Sequence, residues 1–428
     1  MTIDARTNAL SDPPSGHPAG GDARPDGVPG QSRMAWLDAL RGIAVLLVLY
    51  WHLSTVLLVH VENRVGQWFF AGYAGVALFF LVSGYVIPAS LERRGDVRGF
   101  WIGRIFRLYP MYLVTIALLA VLAVTGRNPV PTYAATHPAR GSAAYLSMLP
   151  TLLRVPEVVG VAWTLAYEMA FYLLVSGLFA LRLHRFSGPV ALGFAGAALA
   201  VGAALPVAAS DGSHRKAVFV AVAVWLLALA AMLTGRAGLA RVGAVAGGVL
   251  ALALLAANQQ TVHRWDGLLI PALMFTGTVI YRCHHKQISR WWVAVVPVVV
   301  LAVWTVESIR ELHAAGPGWV RYWPRTPITV GVAGALFAAG FLLRNRRMPR
   351  WLARVGVVSY SVYLLHLLLF TAAAPVLRAA ATLPLPVQAL CLAAAAGCAV
   401  GVSWVTWRLV ELPGQRWGKA LAGRAPVT

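Results

Sequence analysis

Long apolar runs recur along the whole chain, and they constrain it more than any other feature. Twelve can be drawn, at about 35–58, 71–90, 108–125, 162–181, 189–208, 217–234, 242–257, 267–281, 291–306, 326–343, 355–377 and 385–407. Apolar stretches of about 18 or more residues are read as helical spans, because a bilayer's hydrocarbon core is roughly 30 Å thick. The runs are continuous rather than alternating, which argues against a membrane β-barrel. With 59% apolar and 12% charged residues among 428, a soluble domain of this size is excluded. The expected fold is all-α, a polytopic membrane helix bundle of about 10–12 transmembrane helices.

The net charge of +21 does not point to nucleic acid, because it sits in short loops between the runs. It follows the positive-inside rule instead. With the N-terminus inside, the inner segments hold 24 of the 36 Lys and Arg residues and the outer loops 11, while Arg41 lies within a span. The expected location is the cell membrane, multi-pass, with both termini cytoplasmic. The most basic inner loops are "LERRGDVRGFWIGRIFR" and "RNRRMPRWLAR". Two outer loops, about 126–160 and 307–325, are long enough to cover an opening. Residues 1–33 are rich in Pro, Gly, Ser and Asp and read as a disordered cytoplasmic tail. Residues 34–413 form the expected membrane domain, followed by a cytoplasmic tail over 414–428.

Ionisable groups inside spans are costly, so each is a functional candidate. Arg41 and His52 share the first run. Eleven residues at about 100° each bring them onto one helix face, roughly 16 Å apart along the axis. Asp38, one turn before Arg41, can pair with it and is read as structural. "VAWTLAYEMAFYLL" places Glu168 in the outer half of the fourth run, at a depth comparable to His52. A carboxylate there could orient the imidazole, or could be satisfied by Tyr172 one turn on. "RIFRLYPMYL" sets Arg104 and Arg107 one turn apart before the third run, with Pro110 suited to a helix's first turn. Arginines beside a helix N-terminus make a phosphate site, although an ordinary basic loop would look the same. "SYSVYLLH" carries Ser359, Tyr360, Tyr363 and His366 in the eleventh run. Ser83 and Gly84 in "FFLVSGYVI" are small enough for close helix packing or to make room for a ligand.

Other chemistry is missing from the sequence. There is no phosphate-binding glycine loop, zinc-protease motif, nucleophile elbow or C-x-x-C. Cys283, Cys391 and Cys398 give neither a disulfide framework nor zinc spacing. His263 and the pair His284-His285 sit in loops without partner ligands, so no metal is expected.

The motifs R-x10-H, "FFLVSGYVI", "RIFRLYPMYL", "WTLAYEMAFYLL", "SYSVYLLH" and a closing "VELP" occur in the order seen in the acyltransferase-3 family. The chain resembles that family from about Met34 to Pro413. Its members are integral-membrane O-acyltransferases acting on surface polysaccharides, lipopolysaccharide, peptidoglycan, macrolides and related molecules. The resemblance implies an acyl-CoA co-substrate, commonly acetyl-CoA, and no bound cofactor. It implies His52 as catalytic base with Arg41 and Glu168 in the catalytic set. It assigns Arg104 and Arg107 to the donor, and marks Trp163, Ser359, Tyr360 and His366 as further site positions. The family core has about ten spans against twelve here, so residues 188–344 depart from its pattern.

The resulting expectation is an acyl-CoA-dependent transferase moving an acyl group, first of all acetyl, to a hydroxyl of a glycan or glycosylated metabolite. Direct transfer and an acyl-His intermediate are both open at this level. The expected partners are acyl-CoA, the hydroxyl-bearing acceptor and the lipid bilayer, with a homodimer compatible and no nucleic acid. A proton-coupled transporter or flippase using the same intramembrane polar residues is the alternative.

Overall fold

Every one of the twelve apolar runs contains helix in the computed structural model, which describes residues 35–124, 136–201, 213–257 and 266–423. The expected N-terminal tail and His263 lie outside those residues. In chain order the helices are α1 (Ala35–Leu57), α2 (Val59–Val65), α3 (Ala71–Arg94), α4 (Val97–Val124), α5 (Pro138–Leu146) and α6 (Trp163–Ala180). They continue as α7 (Ser187–Val201), α8 (Ser213–Leu233), α9 (Ala237–Ala257), α10 (Asp266–His284), α11 (Trp291–Ala315) and α12 (Arg325–Leu342). The last are α13 (Arg350–Val357), α14 (Ser359–Ala372), α15 (Ala374–Ala380), α16 (Leu385–Thr406) and α17 (Leu412–Ala422). Among the described residues there is no strand. Among the described residues nine helices are long and apolar enough to cross a membrane, or ten if one bent pair counts as a span.

The core is built around α3, which is apolar nearly all round and buried along most of its length. It packs between α1 and α10. The α3–α10 contact is backbone to backbone. A Cβ on Gly84 would lie 1.8 Å from the Met274 carbonyl oxygen, and one on Gly277 would lie 2.3 Å from that of Leu81. Thr278 Oγ1 donates to the Gly84 carbonyl at 2.8 Å. Of the two roles expected for the pair, Gly84 takes close packing and its neighbour Ser83 lines a cavity.

Three expectations are corrected. First, α4 does not begin near residue 108. Gly95 ends α3 in the left-handed region at φ +66°. Asp96 then caps α4: its carboxylate accepts from the Arg98 amide at 3.0 Å and the Gly99 amide at 2.6 Å. Arg104, Arg107 and Pro110 therefore lie inside a helix, so a phosphate site at a helix N-terminus is not formed there. Second, the eleventh run is broken. α13 and α14 meet at a 71° bend, with α13 pressed so closely on α1 that a Cβ on Gly356 would lie 1.7 Å from the Asp38 carbonyl oxygen. Third, of the two outer loops long enough to cover an opening, the first is folded into the bundle over its described part. Met148, Leu149, Leu152 and Leu153 are buried, and the Tyr109 and Tyr112 hydroxyls donate to the Leu146 and Tyr145 carbonyls at 2.8 and 3.0 Å. At the other end of the chain, residues expected in a C-terminal tail belong to α17, whose Gly414 and Gly418 lie against Phe106 of α4.

Gly84→Ala should lower the melting temperature of the purified protein in detergent, because overpacking of this kind costs about 1–3 kcal/mol. Gly193→Ala, where an added Cβ meets open space, should leave it unchanged. Equal melting curves for all three proteins would rule out the α3–α10 contact.

Candidate functional site

Five helices wall one partly open cavity. α1 contributes Arg41, α3 Ser83, α4 Arg104 and Arg107, and α6 Glu168. α14 adds Ser359, Tyr360 and Tyr363. Residues spread over more than 300 positions of sequence thus meet in one place. Trp163 is not among them. It starts α6 and packs edge-on against Phe80 and Tyr167, with ring centroids 6.4 and 6.1 Å away.

Charge in this apolar setting is compensated group by group, as burial demands. Arg41 Nη1 donates to Asp38 at 3.1 Å, the local pair expected from their spacing. Arg104 is buried, and its guanidinium lies over the rings of Phe100 and Tyr172, 5.1 and 5.2 Å from their centroids. The Tyr172 hydroxyl donates to Glu168. Arg107 lies within electrostatic reach of Glu411, Glu168 and Asp38. Tyr360 is anchored by a 2.8 Å hydrogen bond to the Leu108 carbonyl, and the Thr164 hydroxyl donates to that of Tyr363 at 3.0 Å.

His52 lies outside this lining. α1 runs unbroken from Ala35 to Leu57, so Arg41 and His52 keep their axial separation of roughly 16 Å. The ring beside His52 is His366, with centroids 4.9 Å apart. No hydrogen bond or ion pair joins His52 to Glu168 among the described residues; of the two arrangements the sequence left open, Glu168 takes the Tyr172 one. His366 is fully buried, and its Nδ1 lies 3.1 Å from the Val362 carbonyl oxygen. A carbonyl only accepts, so Nδ1 carries the proton and Nε2 the lone pair. That Nε2 is buried without a hydrogen-bond partner. Tyr363 links the two regions: it lines the cavity, and its ring centroid is 5.9 Å from that of His366.

A separate groove of about 1600 Å³ opens near the His52 end of α1, lined by Trp51, Glu62, Tyr73, Glu311, Trp319 and Arg325 among others. Trp51 sits against His52, with ring centroids 4.4 Å apart. Arg325 lies over the Phe70 ring at 5.0 Å, and its Nε is buried without a hydrogen-bond partner.

The acyltransferase-3 profile, described as an acyltransferase domain, matches residues 34–408. The chain belongs to the acyltransferase-3 family. Acyltransferase MdmB of Streptomyces mycarofaciens is 30% identical to it over 155 residues, 33% of this chain and 38% of that protein. A protein of Staphylococcus aureus (strain MSSA476) named as an O-acetyltransferase is 35% identical over 92 residues, 20% of this chain and 13% of that one. Nodulation protein 10 of Rhizobium leguminosarum bv. viciae is 32% identical over 155 residues, covering 32% and 41%. The matched region spans well under half the length of each of these relatives. No solved structure matches the chain.

Two acidic residues were not singled out from the sequence of this acyltransferase-3 member. Glu411 belongs to the "VELP" motif and sits on a π-helical turn, Trp407–Glu411. It is buried, and accepts from Ser361 Oγ at 2.8 Å and Gln415 Nε2 at 3.0 Å. A carboxylate closing an apolar run was the available signal. Glu157 precedes α6, accepts from the Thr151 hydroxyl and lies within electrostatic reach of Tyr363. Burial pushes its carboxyl up to about 7. It sits in irregular chain, where no periodicity marks it. Among the described residues no group of three His, Cys, Asp or Glu side chains could hold a metal ion.

Glu411→Ala should destabilise the protein by about 3–5 kcal/mol, because a cation near it loses its counter-charge inside the bundle. Glu411→Gln should cost less, and thermal unfolding in detergent reads both. Glu157 gives a pH signature. A carboxyl raised above its unfolded value of 4.5 favours the folded state less as the unfolded chain ionises, so stability falls as pH rises from 4.5 to about 7. Melting temperatures between pH 5 and 8 should decline more in the wild type than in Glu157→Gln; parallel curves would contradict this.

Proposed function

We propose that the chain is a membrane O-acyltransferase that moves an acyl group, acetyl in the first instance, from acyl-CoA to a hydroxyl of a glycan or glycosylated metabolite. One observation carries the reading. Arg41, Arg104, Arg107, Glu168 and Tyr360, from four helices, line a single cavity, and Tyr363 connects that cavity to the His52–His366 pair. The bias of Lys and Arg supports cytoplasmic termini. The Arg41 end of α1 then faces the cytoplasm, where acyl-CoA is available, and the groove at the His52 end faces outward.

The donor's thioester arm occupies the cavity, with Arg41, Arg104 and Arg107 holding it and the thioester reaching past Tyr363 toward His52. The acceptor hydroxyl approaches from the groove side. His52 takes its proton as the oxygen attacks the thioester carbonyl. The new ester bond forms, the carbon–sulfur bond breaks, and the proton passes from His52 to the departing thiolate. His366 serves His52 as a positioning residue, because its tautomer is fixed and its one lone pair is open. Glu168, held by Tyr172, balances the arginines rather than orienting the base.

The test compares mass spectra of cell-envelope and secreted metabolites from the wild type and a His52→Ala strain. The acylated products should disappear. With purified protein, the turnover number should fall about 10²-fold or more for His52→Ala and less for His366→Ala. An unchanged set of acylated products would sink the proposal and favour a transporter.

A further inference from the structure

The cavity is poorly suited to the phosphates of an acyl-CoA. Its three arginines already have three carboxylates to match them: Asp38 on Arg41, with Glu168 and Glu411 in reach of Arg107. A pyrophosphate and a 3′-phosphate brought in beside them would leave negative charge unpaired in an apolar bundle.

A second, larger basin of about 2530 Å³ lies on another face of the α1–α3 pair. Arg93, Arg344, Arg346, Arg347 and Arg350 line it, and no carboxylate does. The side chains of three of these, Arg346, Arg347 and Arg350, make no hydrogen bond or ion pair among the described residues. The positive-inside rule accounts for arginines at this end of the bundle, but not for five of them lining one concavity without counter-charge. The basin also offers planar groups. His284 is held by the Tyr85 hydroxyl at 3.0 Å, and the exposed His285 ring lies 4.2 Å from that of Tyr281. The wall between basin and cavity is thin. Val86 lines both, and Leu37, one turn before Arg41, lines the basin.

We infer that this basin binds the phosphorylated nucleotide end of the acyl donor, the five arginines taking the phosphates while the acyl-bearing arm reaches past Leu37 and Val86 into the cavity. The inference rests on the acyl-CoA reading above. It places the phosphates on "RNRRMPRWLAR" and its neighbours, and leaves Arg104 and Arg107 to the arm. Arginine contacts to phosphate are strong and bidentate where geometry allows, and at exposed positions they are screened by salt.

The test uses full-length protein in nanodiscs with three donors: acetyl-CoA, 3′-dephospho-acetyl-CoA and S-acetyl-pantetheine. In the Arg346→Ala/Arg347→Ala double variant the KM for acetyl-CoA should rise about tenfold or more, which corresponds to losing a charge-assisted contact. The KM for S-acetyl-pantetheine should move less than twofold. The wild type's preference for acetyl-CoA over its dephospho form should shrink in the variant, and its acetyl-CoA KM should rise with ionic strength. These exposed positions lie outside the core, and an unchanged melting temperature checks that the variant is folded. If the wild type uses acetyl-CoA and the variant's KM is the same, the basin assignment is overturned while the donor reading stands. If the variant loses only co-purifying anionic lipid, the basin is a headgroup site and the assignment is likewise overturned. If the wild type transfers nothing from acetyl-CoA, the donor reading falls and this inference falls with it.

Discussion

Three arginines inside an apolar bundle set the terms for everything around them. A guanidinium cannot shed its charge in a protein, so each must be met where it stands. Asp38 meets Arg41 from one turn away on the same helix, the Phe100 and Tyr172 rings lie against Arg104, and Glu168 and Glu411 stand near Arg107. These partners come from α1, α4, α6 and the turn after α16. Removing any of those elements would leave a buried charge exposed to hydrocarbon, so the helices are tied to one another through the site itself.

The fold class was legible because hydrophobic run length is a direct readout of bilayer thickness, and each of the twelve runs contains helix, although among the described residues only nine or ten helices are long and apolar enough to span. What misled was punctuation. "RRGDVRG" contains both the left-handed Gly95 and the capping Asp96, yet the apolar run begins only near residue 108, eleven residues after the helix does. That displacement turned two arginines inside a helix into an apparent phosphate site at its start. The break between α13 and α14 was hidden for the opposite reason. Apolar composition continues through Val357 and Val358, and only the demand that α13 lie against α1 bends the chain there.

Of the residues singled out from the sequence, Arg41, Arg104, Arg107, Glu168, Ser359 and Tyr360 share one cavity while His52, Trp163 and His366 do not line it, and the pairings were less legible still. Arithmetic on helix rise gives depth, and depth put His52 level with Glu168. Contact also needs the direction in which each side chain leaves its helix and the neighbours each helix has, and neither is written in one run. α6 presents Glu168 to Tyr172 and the arginines, while α14 brings His366 to α1. Glu157 lay beyond pattern altogether, because its segment is irregular and its burial comes from tertiary packing.

The contact between α1 and α13 has a mechanical consequence. Gly42 faces the Leu352 carbonyl and Gly356 faces that of Asp38, so the two helices touch largely through main chain, which cannot yield as a side chain does. Interdigitated side chains let neighbouring helices slide by changing rotamers; bare backbone does not. α1, which carries Arg41 and His52, and α13, which ends the basic segment, therefore behave as one rigid strut. Any tilt of that strut moves both ends of the catalytic path by the same rotation, so the distance between them stays fixed while their approach to the rest of the bundle changes.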